Sequence, residues 1–216
     1  SAVTQIVFQD PMAALDPRMT VGEQIAEPLL IHGEHDAASR RAQAAALMDK
    51  VGLTEAQLDN YPHEFSGGQR QRICIARALS LTPKLIVADE SVSALDVSVQ
   101  ARVLDLLRAL KDEFGIAMLF ISHDMAVVEN ISDRVAVMHL GQIVEIGSRG
   151  QVFGNPQHPY TRRLMAAVPV PDPSFERMVE NRISDDVPTP LHPIGHNVIR
   201  HQMLQVSDGH FVAETD

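Results

Sequence analysis

The sequence predicts an α/β fold with a mainly parallel sheet, a helical insert and an extended C-terminal tail. Three observations carry that prediction. Short Val- and Ile-rich runs, four to six residues long with little polar alternation, recur between helical patterns. Such runs suit parallel strands covered on both faces. Residues 20–64 hold no strand-like run and read as helical. Beyond Val168 the periodicity fades, and the last 48 residues contain six of the thirteen prolines.

Taken in order, the first predicted strand is Gln5-Ile6-Val7-Phe8. Helices follow over residues 20–31, 36–51 and 54–60, with Asp36 and Thr54 as N-caps and Gly33 and Gly52 as stops. Ser66, with Gln69 three residues on, has capping-box spacing and opens a helix through Ile73, Ile75, Ala76, Ala78 and Leu79. A strand is predicted at Leu85-Ile86-Val87-Ala88. Residues 96–114 place Val99, Val103, Leu106, Leu107, Leu110 and Phe114 on one helical face, and Gly115 ends the helix. Two more strands are expected in the same sheet, residues 116–121 and 135–138. Strand, helix, strand in this order implies right-handed crossovers. In the tail, Asp208-Gly209 followed by His210 to Ala213 fits one short turn and strand.

Composition narrows the function classes. A length of 216 residues fits one or two domains, and 45% apolar residues supply an ordinary core. Trp is absent and aromatics are 4%, so that core is aliphatic. Eighteen bases against 28 acids give a net charge of -10, which argues against a general nucleic-acid binder. Half of that charge sits in the tail, with eight acids and three bases after Val168. Cys74 stands alone, so an internal disulfide is excluded. No apolar run approaches the ~18 residues of a membrane span, and no secretory signal pattern is present. Four histidines of the tail, His192, His196, His201 and His210, fit no standard zinc spacing.

Four polar groups fall where strands end. Gln9 follows the first strand, Asp89 and Glu90 the second, and His123 the third. In open α/β sheets ligands bind outside the carboxyl ends of the strands. An Asp there can hold Mg²⁺, and a neighbouring Glu can orient or deprotonate water. Each group alone also reads as a solvated loop residue. Ser66-Gly67-Gly68-Gln69 has two readings as well: a well-capped helix, or a phosphate site at a helix N-terminus with glycines permitting close approach.

The set as a whole resembles the ABC-type ATPases. Ser66-Gly67-Gly68-Gln69 looks like their signature motif and residues 85–90 like the Walker B strand with its catalytic Glu. Ser93-Ala94-Leu95-Asp96 is similar to the D-loop, His123 to the switch histidine and Gln9 to the Q-loop glutamine, in matching order over roughly residues 3–147. The stretches 8–11, 15–22 and 27–29, together with Asn155-Pro156-Gln157-His158-Pro159-Tyr160-Thr161-Arg162 and the ending 209–212, resemble the oligopeptide, dipeptide, nickel and glutathione importer branch.

That resemblance implies a P-loop NTPase core. Its implied parts are residues 1–19 (Q-loop strand and loop), 20–80 (helical subdomain ending in the signature helix), 81–147 (Walker B, D-loop and switch His), 148–168 (C-terminal helices) and 169–216 (Pro-rich acidic extension). It also implies an ATP-dependent motor subunit on the inner face of a bacterial membrane. Glu90 would polarise water and His123 would contact the γ-phosphate. Asp89 would organise Mg²⁺, with Gln9 sensing it. Ser66, Gly67, Gly68 and Gln69 would meet ATP held by a second ABC subunit, and Asp96 would communicate across that dimer. The helical subdomain would dock on the membrane permease, and nucleic acid is not an expected partner. Two departures stand out. Ser91 occupies a position that is usually Pro, and the tail has no Cys for the iron–sulfur motif of some importer relatives. A third is larger. The three lysines, Lys50, Lys84 and Lys111, never follow Gly, so no G-x-x-x-x-G-K-[ST] loop is present. The motif order and the non-Met start give the expectation of a chain lacking its Walker A part. Competing readings are an ABC ATPase of DNA repair or translation, and a non-catalytic interaction fragment. Neither long heptads nor a basic linker favours the former.

Overall fold

A computed structural model describes residues 2–93, 95–167 and 201–214. The chain forms two compact units, Ser1–Asp124 and Met125–Asp216.

The first unit holds a three-stranded parallel sheet: β1 (Thr4–Val7), β2 (Leu85–Asp89) and β3 (Ala117–Ile121), in the order β1-β2-β3. Ile6 pairs with Val87, and Asp89 with Ile121. The central strand therefore carries its C-terminal acids to a sheet end that the residues after β1 and β3 also reach. Between β1 and β2 the chain is helical, as the sequence predicts. A short α1 (Pro11–Ala14) leads into α2 (Val21–Ile31), α3 (Ala37–Lys50) and α4 (Gly67–Leu79). Two short 3₁₀ turns, Glu55–Asp59 and Pro62–Glu64, separate α3 from α4, so the predicted helix at 54–60 is tighter than α. Reciprocal caps fix the starts. Thr20 N–H donates to Glu23 and Glu23 N–H returns to Thr20, at 2.8 and 3.3 Å. Asp36 accepts from Ser39 N–H at 2.8 Å. Gly33 and Gly52 end their helices at φ 103° and 71°, a backbone that other residues enter at a cost.

The aliphatic core is centred on α4, whose Ile73, Cys74, Ile75, Ala76, Ala78 and Leu79 are all buried. Ile25, Met48, Leu58 and Ile86 join them in full burial. α5 (Val97–Phe114) then crosses from β2 to β3 with Val103, Leu104, Leu107 and Leu110 buried. Gly115 ends it in the left-handed conformation.

The second unit corrects one prediction. Residues 135–138 do form a strand, β4 (Arg134–His139), but it does not extend the parallel sheet. It pairs antiparallel with β5 (Gln142–Ser148) in a four-stranded sheet of order β4-β5-β7-β6. Two features explain the difference. Leu140 and Gly141, at φ 47° and 77°, make the two-residue positive-φ turn of a tight hairpin. Val135 and Val137 are buried while Ala136 and Met138 are exposed, so the strand alternates in burial although its residues are all apolar. α6 (Met125–Ile131), α7 (Arg149–Gly154) and α8 (Pro159–Ala167) belong to this unit. The turn at Asp208-Gly209 joins β6 (Met203–Ser207) to β7 (His210–Ala213), one strand more than predicted. The rest of the predicted extended tail, with His192 and His196, lies outside the described residues.

A buried carboxylate joins three segments of this unit. Glu145 on β5 is fully buried and accepts from the backbone N–H groups of Gln157 and His158, both at 2.9 Å. His210 Nε2 on β7 stands 2.8 Å from it. Burial opposes its charge, but the N–H groups of Gln157 and His158, Thr161 and His210 outweigh that and hold the carboxyl below its ordinary range. Gly147 makes room for the ring, since a Cβ there would lie 3.0 Å from His210 Cδ2.

Candidate functional site

The ends of the three parallel strands converge on Glu90. Gln9, two residues past β1, donates its side-chain N–H to Glu90 Oε2 at 2.6 Å. His123, two residues past β3, places Nδ1 3.1 Å from Glu90 Oε1. Glu90 itself sits at φ 44°, an uncommon conformation for a non-glycine residue. Three hydrogen bonds hold it there: its N–H to Ile121 O at 2.9 Å, and Ser93 N–H and hydroxyl to its carbonyl at 3.1 and 2.9 Å. Strain of this kind persists where the surroundings over-determine it. Asp89 ends β2 beside this group and is exposed. The arrangement is a carboxylate with one oxygen on an amide and the other on an imidazole, at the rim of a sheet. It can orient a water while the imidazole contacts an anionic group.

A second group forms at two neighbouring helix starts. Ser66 caps α4: its N–H donates to Gln69 Oε1 at 2.9 Å, and Gln69 N–H approaches Ser66 Oγ at 3.4 Å. Ser66 and Gly67 are exposed and Gly68 is buried. Asp96 caps α5, accepting from Val99 N–H at 3.0 Å and from the Ser98 hydroxyl at 2.8 Å. The Ser98 hydroxyl first, then the Val99 N–H, holds the Asp96 carboxyl below its ordinary range. The structure thus joins Gln9, Glu90 and His123 through hydrogen bonds, while Ser66 and Gln69, and Asp96 with Ser98 and Val99, bond among themselves. Among the described residues the two groups share no hydrogen bond.

Cys74 is buried, which pushes its thiol up to about 11 and leaves it a core residue rather than a nucleophile. No cluster of three or more His, Cys, Asp or Glu side chains fit for a metal occurs among the described residues. Among them, too, no helix is long and apolar enough to cross a membrane.

Residues 1–93 match the ABC transporter family. Residues 144–194 match the oligopeptide/dipeptide transporter C-terminal region. The chain belongs to the ABC transporter family, in its oligopeptide and dipeptide branch. Among relatives of this ABC chain are the glutathione import ATP-binding proteins GsiA of Shigella flexneri and Escherichia coli K12. They are 59% and 58% identical over 210 residues, which is 97% of this chain and 34% of each relative. The chain therefore spans about a third of the length of those relatives. The solved structure of cbiO1 from Clostridium perfringens, part of the ABC transporter complex cbiONQ, aligns with a TM-score of 0.64 at 27% identity. That alignment covers 71% of this chain and 60% of that one.

Some contacts of the ABC chain's candidate site were not visible in the sequence. Ser93 was legible as part of the D-loop stretch, but its hydroxyl bond to the Glu90 carbonyl at 2.9 Å was not. Arg77 donates to Ala14 O at 2.8 Å, joining α4 to the segment after Gln9 across 63 positions. Nothing local in the sequence signals that bond.

Proposed function

We propose that this chain carries the Q-loop, signature, Walker B, D-loop and switch parts of an ATP-hydrolysing subunit. That subunit powers import of peptide-like solutes, glutathione among them, through a membrane permease. The Glu90 group carries the reading: one carboxylate held between Gln9 and His123 at the ends of three parallel strands. Glu90 orients and deprotonates the attacking water. His123 steadies the γ-phosphate as charge spreads over its oxygens. Gln9 keeps the carboxylate turned toward the water. The rate comes from positioning and fixed charges rather than a covalent intermediate.

Asp89 and the Gln9 amide oxygen would hold Mg²⁺ as hard oxygen ligands, and the ion would supply positive charge against the phosphates. Ser66, Gly67, Gly68 and Gln69 face ATP on a second ABC subunit, and Asp96 lies at that junction. The helical segment 20–80 meets the permease. On this reading the subunit works on the cytoplasmic face of the membrane.

Glu90→Gln in the full-length protein tests the reading. Hydrolysis is expected to fall by at least about a hundredfold, while ATP-driven dimers persist in gel filtration. Unchanged turnover removes Glu90 from the catalytic role. A second test uses the 216-residue chain itself. Without a Gly-Lys phosphate loop it is expected to bind MgATP weakly, by titration calorimetry, and to release no phosphate. Robust turnover by this chain would sink that expectation.

A further inference from the structure

We propose that Val99 is the positioning residue for Gly68, so that the first turns of α4 and α5 move as one block. The inference rests on the proposed role of Gly68 at a nucleotide. Gly68 is buried, and a Cβ built on it would stand 2.3 Å from Val99 Cγ1. That is far inside contact distance. Val99 is β-branched and helical, so one side-chain rotamer dominates and the methyl does not swing aside cheaply. The neighbouring glycine is not confined in this way: a Cβ on Gly67 would lie 3.9 Å from Leu95 Cδ2, an ordinary contact.

The same Val99 is tied to the second motif. Its N–H is the one that Asp96 accepts at 3.0 Å. One residue thus joins the cap of α5 to the glycine of α4. Any shift of Asp96 at a subunit junction passes through the Val99 backbone and its methyl to Gly68. A glycine at this position has two separate reasons to lack a side chain. One faces outward, toward whatever Ser66 and Gly67 approach. The other faces inward, toward Val99, and only the inward one can be relieved by a change within this chain.

The two reasons separate in a compensation experiment on the full-length protein, with steady-state ATP hydrolysis and nucleotide-free melting temperature as readouts. Gly68→Ala is expected to lower kcat/KM about tenfold and to lower Tm. Adding Val99→Ala removes the obstructing methyl and is expected to recover at least about fivefold of that loss. Adding Val99→Thr keeps the branch point and is expected to recover none. Val99→Ala alone is expected to raise KM for ATP more than it lowers kcat, because a loosened helix start weakens nucleotide engagement. Equal activity of the Gly68→Ala and Gly68→Ala/Val99→Ala proteins overturns the proposal and leaves the outward reason as sufficient. Wild-type protein that hydrolyses no ATP overturns the functional reading instead. The Tm values of the same four variants then decide the packing claim, which fails if the Ala and Thr double variants melt alike.

Discussion

Single residues show where the fold accepts a cost. Gln71 lies on the signature helix α4, is fully buried, and has neither amide atom hydrogen-bonded among the described residues. A buried amide without a partner costs about 1–3 kcal/mol. Gln71→Met keeps the length of the side chain and removes both polar atoms. It is expected to raise stability by roughly 1 kcal/mol, read as a higher urea midpoint at unchanged m-value. A lower midpoint would mean that the amide is satisfied after all. Ser91 is similar: it is 2% exposed and its hydroxyl has no hydrogen-bond partner among the described residues, beside the strained Glu90. The position resembles one usually held by Pro, and with Ser there the Glu90 backbone is held by its bonds to Ile121 and Ser93.

At the scale of elements, legibility followed the range of the signal. Helix starts were readable because caps act over three residues, as at Thr20, Asp36 and Ser66. The stop at Gly115 was readable for the same reason, and it yields a test. Gly115 sits at φ 62° with nothing within 4 Å of a built Cβ, so Gly115→Ala meets backbone strain only. The expected loss is about 1 kcal/mol, and Gly115→Asn should lose clearly less. Equal losses would point to a packing role for the glycine. The parallel strands were readable from their unbroken apolar runs. β4 was misplaced because Ala136 and Met138 are apolar yet exposed, which hides its alternation. β5 went unseen because Glu145, a charged residue, occupies its most buried position, and only the fold reveals the donors around it. In the site, the strand-end set of Gln9, Glu90 and His123 was legible, since parallel strands deliver their C-termini to one edge. The Gly68–Val99 approach was not, because no local pattern encodes a contact between two helix starts.

For the molecule as a whole, the two units differ in what holds them. The first relies on an aliphatic core, and its parallel sheet still exposes Ile6, Phe8, Leu119 and Ile121. Apolar surface gathered on so few strands invites further cover. The second unit instead builds on a small core of Val135, Val137, Val144, Val152 and Ala213 around a buried polar group. That makes its stability pH-dependent, and the sign follows from two groups. His158 is held below its ordinary value of 6.5, by burial first, with His139 and His201 adding to the effect and Glu145 opposing it. A depressed histidine contributes stability that is fully present above about pH 6.5 and is lost as pH falls toward its folded value. Glu145 is also depressed, from 4.5, so its contribution is lost only at still lower pH. The second unit should therefore loosen in two stages on acidification, the first beginning near pH 6.5. Hydrogen-exchange protection of β5 and β7, corrected for intrinsic rates, is the measurement, taken from about pH 7.5 to about pH 3 so that it spans both stages. His158→Asn keeps an acceptor near the ring Nδ1 that now takes the Tyr160 N–H at 3.1 Å, but it cannot titrate. That variant should keep its protection flat through the upper stage and still lose it in the lower one. An unchanged upper stage in His158→Asn would show that the loosening originates elsewhere.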